Sequence, residues 1–319
     1  MDSSRKCKDK QDQVLYISPM KELVLGIDIG GTNTKYGFVN QKGEVLFESK
    51  TPTNSKIPFH EYTQTLWDKI LKDFKNYSND FKLTAVGVGA PNANSLNGKI
   101  ENPPNLEWDE ASLVSDFSKV MQLPIKLEND ANIAAVGERK FGKGKNFDHF
   151  IVITLGTGIG SGTYINGELF TGSHALGSEA GHLTIFPGGR KCGCGGLGHL
   201  ECYGSVRGIK QTCQEILGVD LKFAEISERF HAGDKTIDEV IKQTAKYLAI
   251  GLSSMNTLLS PEAFILAGGV STLGERFRQA IITEYKKVVY APFRDNSQIL
   301  LSDIGSEYGA ILGAASLQL

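Results

Sequence analysis

The chain has 319 residues, of which 40% are hydrophobic and 22% charged, a composition typical of an ordinary globular protein with enough sequence for about two domains. Its formal net charge of -2 gives no indication of a nucleic-acid or anionic-membrane partner, and no apolar run is long enough to span a bilayer. Because the N-terminus lacks the apolar run of a signal peptide and the cysteines look intracellular, we expect a cytoplasmic protein.

The first patterned segment begins at Glu22, after a polar stretch, residues 1–21, that we expect to be a flexible tail. The sequence ELVLGIDIGGTNTKYGFVNQKGEVLFESK predicts three strands joined by a glycine turn and a second short turn. The glycine turn offers bare backbone N–H groups at a strand end, which suit a phosphate, although the same pattern also describes an ordinary hairpin. Its candidate phosphate-binding residues are Asp28, Gly30, Gly31, Thr32 and Asn33.

A second hairpin repeats this pattern later in the chain. Residues 25–44 and residues 153–169 both run strand, glycine turn, strand, asparagine, short turn and Gly-Glu. An internal duplication predicts two similarly built domains, and two phosphate-binding hairpins that face each other across a cleft would form a nucleotide clamp. Chance similarity between glycine-rich hairpins is the alternative.

The segment between the hairpins alternates between predicted helices and strands. Consecutive prolines exclude regular structure from residues 100–108, and we expect them to hold Asn102 and Asn105 in extended backbone. Asp130 falls where a predicted strand runs into a helix, a position that suits either catalysis or helix capping by Asn129 or Asp130. The predicted elements are a helix at 59–77, a strand at 83–89, a loop at 94–99, a helix at 109–121, a strand at 124–130 and a helix at 131–140.

The glycine-rich segment from Gly177 to Ser205 concentrates carboxylates, histidines and cysteines. Two thiolates and two imidazoles suit tetrahedral zinc, and four protein ligands would make the ion structural. A strained disulfide between Cys192 and Cys194, or idle thiols, is the alternative. We expect the metal to fix Glu179 and Glu201, whose carboxylates can accept hydrogen bonds from sugar hydroxyls. The predicted metal ligands are His182, Cys192, Cys194 and His199.

The remainder of the chain predicts more helices and two more strands. A strand at 263–270 contains Gly268 and Gly269, which could let a base or ribose approach the backbone. The other predicted elements are helices at 205–217, 221–231, 237–259, 273–289 and 307–317, and a strand at 298–303.

Together these motifs resemble those of the ROK family of sugar kinases, within the actin, Hsp70 and hexokinase superfamily. The motifs IDIGGTNTK, VGAPN, ENPPNLEW, LENDANIAAVGE, LGTGIGSG, SEAGH, CGCGGLGH and LAGGV occur in family order over nearly the whole chain. The resemblance implies an α/β fold with two similarly built domains of the actin-like ATPase (ribonuclease H-like) type flanking a cleft. We expect a smaller domain at 22–130 plus 305–319, and a larger domain at 131–304 that carries the zinc-binding loop 182–199.

The resemblance also implies roles for individual residues. Asp130 matches the catalytic base, and the family's sugar ligands match Asn102, Asn129, Asp130, Glu179, His182 and Glu201. Asp28 lies near the metal-nucleotide, and Gly30, Gly31, Thr32 and Asn33 match the first phosphate loop. Thr157 and Gly158 match the second phosphate loop, and Gly268 and Gly269 match the adenosine contact. The family binds zinc through one histidine and three cysteines, so this chain departs from the pattern at His199, where a cysteine is usual.

The implied activity is an ATP- and Mg²⁺-dependent hexose kinase with structural Zn²⁺, most simply a glucokinase that forms glucose 6-phosphate in glycolysis. Kinases of N-acetylglucosamine, N-acetylmannosamine or fructose are the alternatives. A sugar-responsive repressor is disfavoured because about 21 residues before the first strand are too few for a DNA-binding module, and a non-catalytic sensor is disfavoured by Asp130. We expect a homodimer that binds neither nucleic acid nor membrane.

Overall fold

The computed structural model describes residues 20–103, 105–108, 110–305 and 308–319. Two five-stranded sheets with the same strand order form its framework. In each sheet, the first three strands of the chain pair antiparallel with one another. Two later strands then extend the sheet on the other side of the first strand and run parallel to it. The predicted duplication is therefore confirmed at the level of sheet topology.

The first sheet has the order β3-β2-β1-β4-β8, and the second has the order β11-β10-β9-β12-β13. Strands β1 and β9 are central in their sheets and are almost completely buried, because helices cover both of their faces. The strands of the first sheet are β1 (Lys21–Ile29), β2 (Asn33–Asn40), β3 (Val45–Pro52), β4 (Phe81–Ala90) and β8 (Ile125–Asn129). Those of the second are β9 (Phe150–Leu155), β10 (Ile159–Ile165), β11 (Glu168–Phe170), β12 (Ala263–Ala267) and β13 (Gln298–Leu301).

Most of the helices are amphipathic, with their apolar faces in the two main cores, whereas Asp130–Lys140 and Gly309–Ser316 pack in two smaller buried clusters. The longest described helix, α7 (Lys235–Leu259), spans 25 residues and is preceded by Asp234, whose carboxylate caps the backbone N–H groups of Thr236 and Ile237. The helices are α1 (Phe59–Phe74), α2 (Leu113–Met121), α3 (Asp130–Lys140), α4 (Glu201–Gly204), α5 (Val206–Leu217), α6 (Phe223–His231), α7 (Lys235–Leu259), α8 (Gly274–Val288) and α9 (Gly309–Ser316).

The last helix, α9, packs against the first sheet although it follows the second sheet in sequence. Its residues Ile311, Leu312 and Ala315 share a buried cluster with Val24 and Val39. A Cβ atom on Gly87 of β4 would lie only 1.8 Å from the carbonyl oxygen of Ala314, so only glycine permits this close approach. The chain thus crosses between the sheets twice, once along α3 and once before α9.

The asparagine- and proline-rich region and the helix after it differ from the sequence prediction in three details. Asn102 and Asn105 do not have extended backbone, since their φ angles are 45° and 66°, in the left-handed region that asparagine tolerates better than most residues. The predicted loop at 94–99 is the turn of a hairpin in a small three-stranded sheet, except that Asn94 and Lys99 belong to its strands. The helix predicted at 109–121 begins only at Leu113, as α2, after a short strand. The strands of this sheet are β5 (Ala93–Asn94), β6 (Lys99–Glu101) and β7 (Glu110–Ala111).

Residues 1–19 of the predicted tail at 1–21 lie outside the described residues. Residue 307, the first residue of the helix predicted at 307–317, also lies outside them. Within the described ranges, no helix is both long enough and apolar enough to cross a membrane.

Candidate active site and metal centre

A cleft of about 470 Å³ lies where the ends of the two sheets meet. Several predicted site residues from distant parts of the chain line it together: Asp28, Asn129, Asp130, Gly158, Glu179, His182, Glu201 and Gly268. Other predicted residues do not line this cavity: Asn102, Gly30, Gly31, Thr32, Asn33, Thr157 and Gly269.

Asn129 and Asp130 divide two tasks that the sequence left open. The side-chain oxygen of Asn129 caps α3 by accepting hydrogen bonds from the backbone N–H groups of Ala131, at 2.8 Å, and Asn132, at 3.4 Å. Asp130 is therefore not needed as the cap, and its carboxylate is open to the cleft at the N-terminus of α3. The surrounding protein raises the pKa of Asp130 by desolvation, and backbone N–H groups partly oppose the shift.

Asp28, near the end of β1, is the second carboxyl group from the first sheet in this cleft. Desolvation, followed by the charge of Asp130, raises the pKa of Asp28 to about 6, whereas Lys35 acts in the opposite direction. A carboxyl group whose ionised form is disfavoured by burial and by a second carboxylate is a ready site for a cation, because a cation would relieve both the desolvation and the repulsion.

Glu179 immediately precedes the short 3₁₀ turn Ala180–His182. Burial raises the pKa of its carboxyl group, and the charges of Asp130 and Glu201 act in the same direction, while His182 lowers it. Among the described residues, the carboxylate of Glu179 has no hydrogen-bond partner, so both oxygens are available to a ligand in the cleft.

Glu201, at the start of α4, links the second hairpin to the cysteine-rich loop. One carboxylate oxygen accepts a hydrogen bond from the backbone N–H of Ile159 at 3.2 Å. The other lies 3.4 Å from a guanidinium nitrogen of Arg207 and 3.6 Å from Sγ of Cys192. A Cβ atom on Gly158 would lie 2.2 Å from the Glu201 carboxylate, so glycine is required for Glu201 to reach the hairpin.

The four predicted metal ligands form one cluster, in which the ligand atoms all lie within 4.8 Å of one another. Nδ1 of His182 is 3.4 Å from Nδ1 of His199, which is 3.3 Å from Sγ of Cys194. Cys192 Sγ lies 3.8 Å from Nδ1 of His182. A tetrahedral zinc with its usual bonds of about 2.0–2.3 Å separates its ligand atoms by about 3.3–3.8 Å, so these residues fit zinc.

The alternative readings of the cysteines are not supported by this geometry. Cys192 and Cys194 are free thiols in the structure, so the disulfide alternative is wrong. Cys202 stands outside the cluster: it is buried, and its Sγ lies 3.6 Å from the carbonyl oxygen of Lys191.

Arg190 anchors the cysteine-rich loop to α5 independently of any metal. Its guanidinium donates to the carbonyl oxygens of Cys202, at 2.8 Å, and Gly208, at 3.1 Å, and it pairs with Glu215. The same group lies 4.6 Å from the ring centroid of Tyr203, within cation–π distance. These contacts of Arg190 hold the cysteine-rich loop against the core of the second sheet.

The glycine turns differ in detail. In the first, the N–H of Gly30 donates to the carbonyl oxygen of Asn33 at 3.1 Å, and in the second, that of Gly156 donates to the carbonyl oxygen of Gly158 at 3.0 Å. The second turn is therefore one residue shorter.

The sequence reasoning missed a polar pair at the other end of the cleft, Glu138 and Ser302. Glu138 is 1% exposed, accepts from the backbone N–H of Lys143 at 2.8 Å and from the hydroxyl of Ser302, and so joins α3 to the segment that leads to α9. The available signal was a glutamate on the otherwise apolar face of α3.

Comparisons with known proteins agree with this architecture. The family model described as "ROK family" matches residues 24–319. A glucokinase from Streptomyces coelicolor is 31% identical over 316 residues, which cover 92% of this chain and 97% of that protein. A xylose repressor from Bacillus subtilis is 28% identical, over 92% of this chain and 76% of the repressor. The crystal structure of a ROK family glucokinase from Streptomyces griseus in complex with glucose and AMPPNP has a TM-score of 0.78 and 30% identity, with 92% of this chain and 98% of that chain covered.

Proposed function

The chain belongs to the ROK family, and on that premise we propose that it is an ATP-dependent hexose kinase that phosphorylates the primary hydroxyl of glucose. The observation that carries this proposal is the uncommitted carboxylate of Asp130, which shares one cleft with Glu179, His182 and Glu201 while Asn129 caps the helix. The similarity to glucokinases over nearly the whole chain supports it.

Asp130 accepts the proton of the primary hydroxyl as that oxygen attacks the γ-phosphorus. Burial raises the pKa of the Asp130 carboxyl group, which makes its carboxylate a stronger base than an unperturbed one. Glu179, Glu201, His182, Asn129 and Asn102 bind and orient the other hydroxyls of the sugar. Asn102, which lies outside the cavity, would need the two sheets to approach each other when the sugar binds.

The two glycine turns hold the phosphates of ATP, through Gly30, Gly31, Thr32 and Asn33 on one side and Thr157 and Gly158 on the other. Gly268 and Gly269 border the adenosine. Asp28 holds Mg²⁺, which supplies charge neutralisation to the phosphates when bound.

The cluster of His182, Cys192, Cys194 and His199 holds a structural zinc ion, which supplies cross-linking rather than chemistry. His182 uses Nδ1 at the cluster, so its other ring nitrogen remains available for a sugar hydroxyl. Within this proposal the domains are 22–130 plus 305–319 and 131–304, and the protein is a homodimer without a nucleic-acid or membrane partner.

The direct test is a coupled assay of ADP release with ATP and a panel of glucose, mannose, fructose, N-acetylglucosamine and N-acetylmannosamine. We expect the highest kcat/KM with glucose. In the Asp130→Asn variant we expect the ADP release that depends on glucose to be lost. A preference for an N-acetylated hexosamine would replace the substrate but retain the reaction class. If no sugar stimulates ADP release while glucose still binds, the protein is a sugar sensor and the kinase proposal is wrong.

A further inference from the structure

The segment that carries Glu179 lies along strand β10, and one buried hydroxyl holds it on both sides. The hydroxyl of Ser161 donates to the carbonyl oxygen of Ser178 and accepts a hydrogen bond from the backbone N–H of Ala180 at 3.0 Å. These are the residues immediately before and after Glu179. Ser161 is 4% exposed, so water does not compete strongly for these bonds.

The backbone at this point needs to be held, because Ser178 has a φ angle of 72°. The left-handed region costs a residue other than glycine roughly 1–2 kcal/mol. The side chain of Ser178 is secured as well, since its hydroxyl lies 2.6 Å from that of Thr163, which is buried two residues further along β10. Ser161 and Thr163 thus stabilise a conformation that the chain would otherwise avoid.

Glu179 depends on this backbone for its position. Its carboxylate has no hydrogen-bond partner among the described residues, and the charge of His182 on one side is opposed by those of Asp130 and Glu201 on the other. A side chain that no hydrogen bond holds directly lies where its Cα and Cβ place it. The hydroxyl of Ser161 sets that placement through the peptide groups on either side.

From these contacts we propose that Ser161 is a positioning residue for the Glu179 carboxylate, and through it for binding of the hexose. This inference rests on the proposed function for the role of Glu179. Ser161 does not line the cleft, so its effect on the sugar is exerted through Glu179. Thr163 supports the same conformation with one contact instead of two.

The test compares Ser161→Ala with Ser161→Thr, which retains a hydroxyl, and with Thr163→Val. We expect Ser161→Ala to raise the KM for glucose about tenfold and the KM for ATP less than about twofold, because the lost contacts orient a sugar ligand rather than the nucleotide. Ser161→Thr should restore most of the glucose affinity, and Thr163→Val should raise the KM by only about threefold.

A matched control is Thr244→Val on α7, which removes another buried hydroxyl, one that donates to the carbonyl oxygen of Val240 at 3.0 Å outside the cleft. It should leave the KM for glucose unchanged. If Ser161→Ala behaves like this control, Ser161 does not position Glu179.

A double-mutant cycle with Glu179→Gln separates positioning from a general loss of structure. If Ser161 acts through the Glu179 carboxylate, Ser161→Ala should change glucose affinity less than about twofold in the Glu179→Gln background. A full tenfold effect in that background would overturn the inference.

Hydrogen exchange provides a readout that needs no kinase activity. The amides of residues 178–182 should exchange faster in Ser161→Ala than in the wild type or in Thr244→Val, and unchanged exchange would contradict the inference. A wild-type protein that phosphorylates no hexose would instead overturn the proposed function, and the exchange experiment would still decide whether Ser161 fixes the segment.

Discussion

The two hairpins that face the cleft have the same strand pairing but different chemistry at equivalent positions. Two residues before the first glycine of the turn, β1 carries Asp28 and β9 carries Thr154, and both side chains line the cleft. The first sheet also contributes Asp130, directly after β8, whereas β13, which has the equivalent place in the second sheet, is followed by Ser302. The two hairpins therefore share their strand pairing, whereas, among the described residues, the acidic side chains that line the cleft at strand ends come from the first sheet.

This asymmetry indicates a division of labour. The strand ends of the first sheet provide the proposed base and the candidate cation site, and those of the second sheet provide glycine backbone and the hydroxyls of Thr154 and Ser302. The second sheet's acidic residues, Glu179 and Glu201, come from its cysteine-rich loop and the segment before it. Substitutions at matched positions should consequently have unequal effects.

The largest effect is expected at Asp130. Asp130→Asn should lower kcat by about 10²–10⁴-fold, the contribution typical of a general base, while glucose binding changes little because the amide keeps the shape of the side chain. Turnover and sugar affinity should be measured on the same preparation, with the surface variant Asp116→Asn as control. Activity within tenfold of the wild type would remove Asp130 from the role of base.

The next effect tests the matched pair directly. Asp28→Asn should lower kcat by roughly 100-fold and raise the Mg²⁺ concentration needed for half-maximal rate, because a carboxylate ligand of the cation is lost. Thr154→Val should lower kcat less than about fivefold, since only a hydroxyl is removed. If a Mg²⁺ titration gives equal losses of kcat in both variants, the two hairpins contribute symmetrically.

A smaller effect is expected from the metal centre of the second half. The wild type should contain about one zinc per chain, and His199→Ala should lose most of it. Glucose binding should weaken by about tenfold, because the zinc loses a protein ligand and no longer holds the loop next to Glu201. His199→Cys should retain the zinc, and Cys202→Ala should not affect it, because Cys202 lies outside the cluster. Elemental analysis of the four proteins decides: zinc lost only in Cys202→Ala would contradict the ligand assignment.

The pH profile should reflect the paired acids of the first half. A raised pKa means that Asp28 becomes protonated as the pH falls through about 6, so kcat/KM should decline there rather than near the ordinary aspartate range. Asp28→Asn removes this titrating group, so the acid limb near pH 6 should disappear. Thr154→Val should leave the limb in place. An unchanged profile in Asp28→Asn would show that Asp28 does not set the acid limb.

The same shift has a consequence for stability in the absence of nucleotide and Mg²⁺. Because the folded-state pKa of Asp28 is raised from 3.8 to about 6, the fold favours the protonated form, and the free energy of unfolding should fall as the pH rises through this interval. Asp28→Asn should therefore be more stable than the wild type at pH 7, by about 3 kcal/mol at most. Urea unfolding at pH 4 and pH 7 measures the difference, and equal stabilities at pH 7 would contradict it.

Several parts of the site followed from local sequence because their chemistry is local. The ligands His182, Cys192, Cys194 and His199 are close in sequence, so a short glycine-rich loop could only bring them near one another. Both glycine turns followed from the alternation of apolar strands and glycine pairs. The backbone of Asn102 and Asn105 was predicted wrongly. At Asn102 the preference of the residue before a proline was overridden in the folded chain, and Asn105, which is followed by Leu106, has no such preference.

The sequence by itself determined the two repeated sheets, the order of their strands along the chain, and the residue types available for phosphate, zinc and sugar, because hydrophobic period and turn chemistry act over a few residues. Only the tertiary structure decided that Asn129, and not Asp130, caps α3, and that α9 packs against the first sheet. It also decided that Ser161 forms hydrogen bonds with the peptide groups on both sides of Glu179, and that Ser302 donates to Glu138. Each of these depends on contacts between residues that are distant in sequence or on the direction of a single side chain, and neither leaves a periodic signal in the chain.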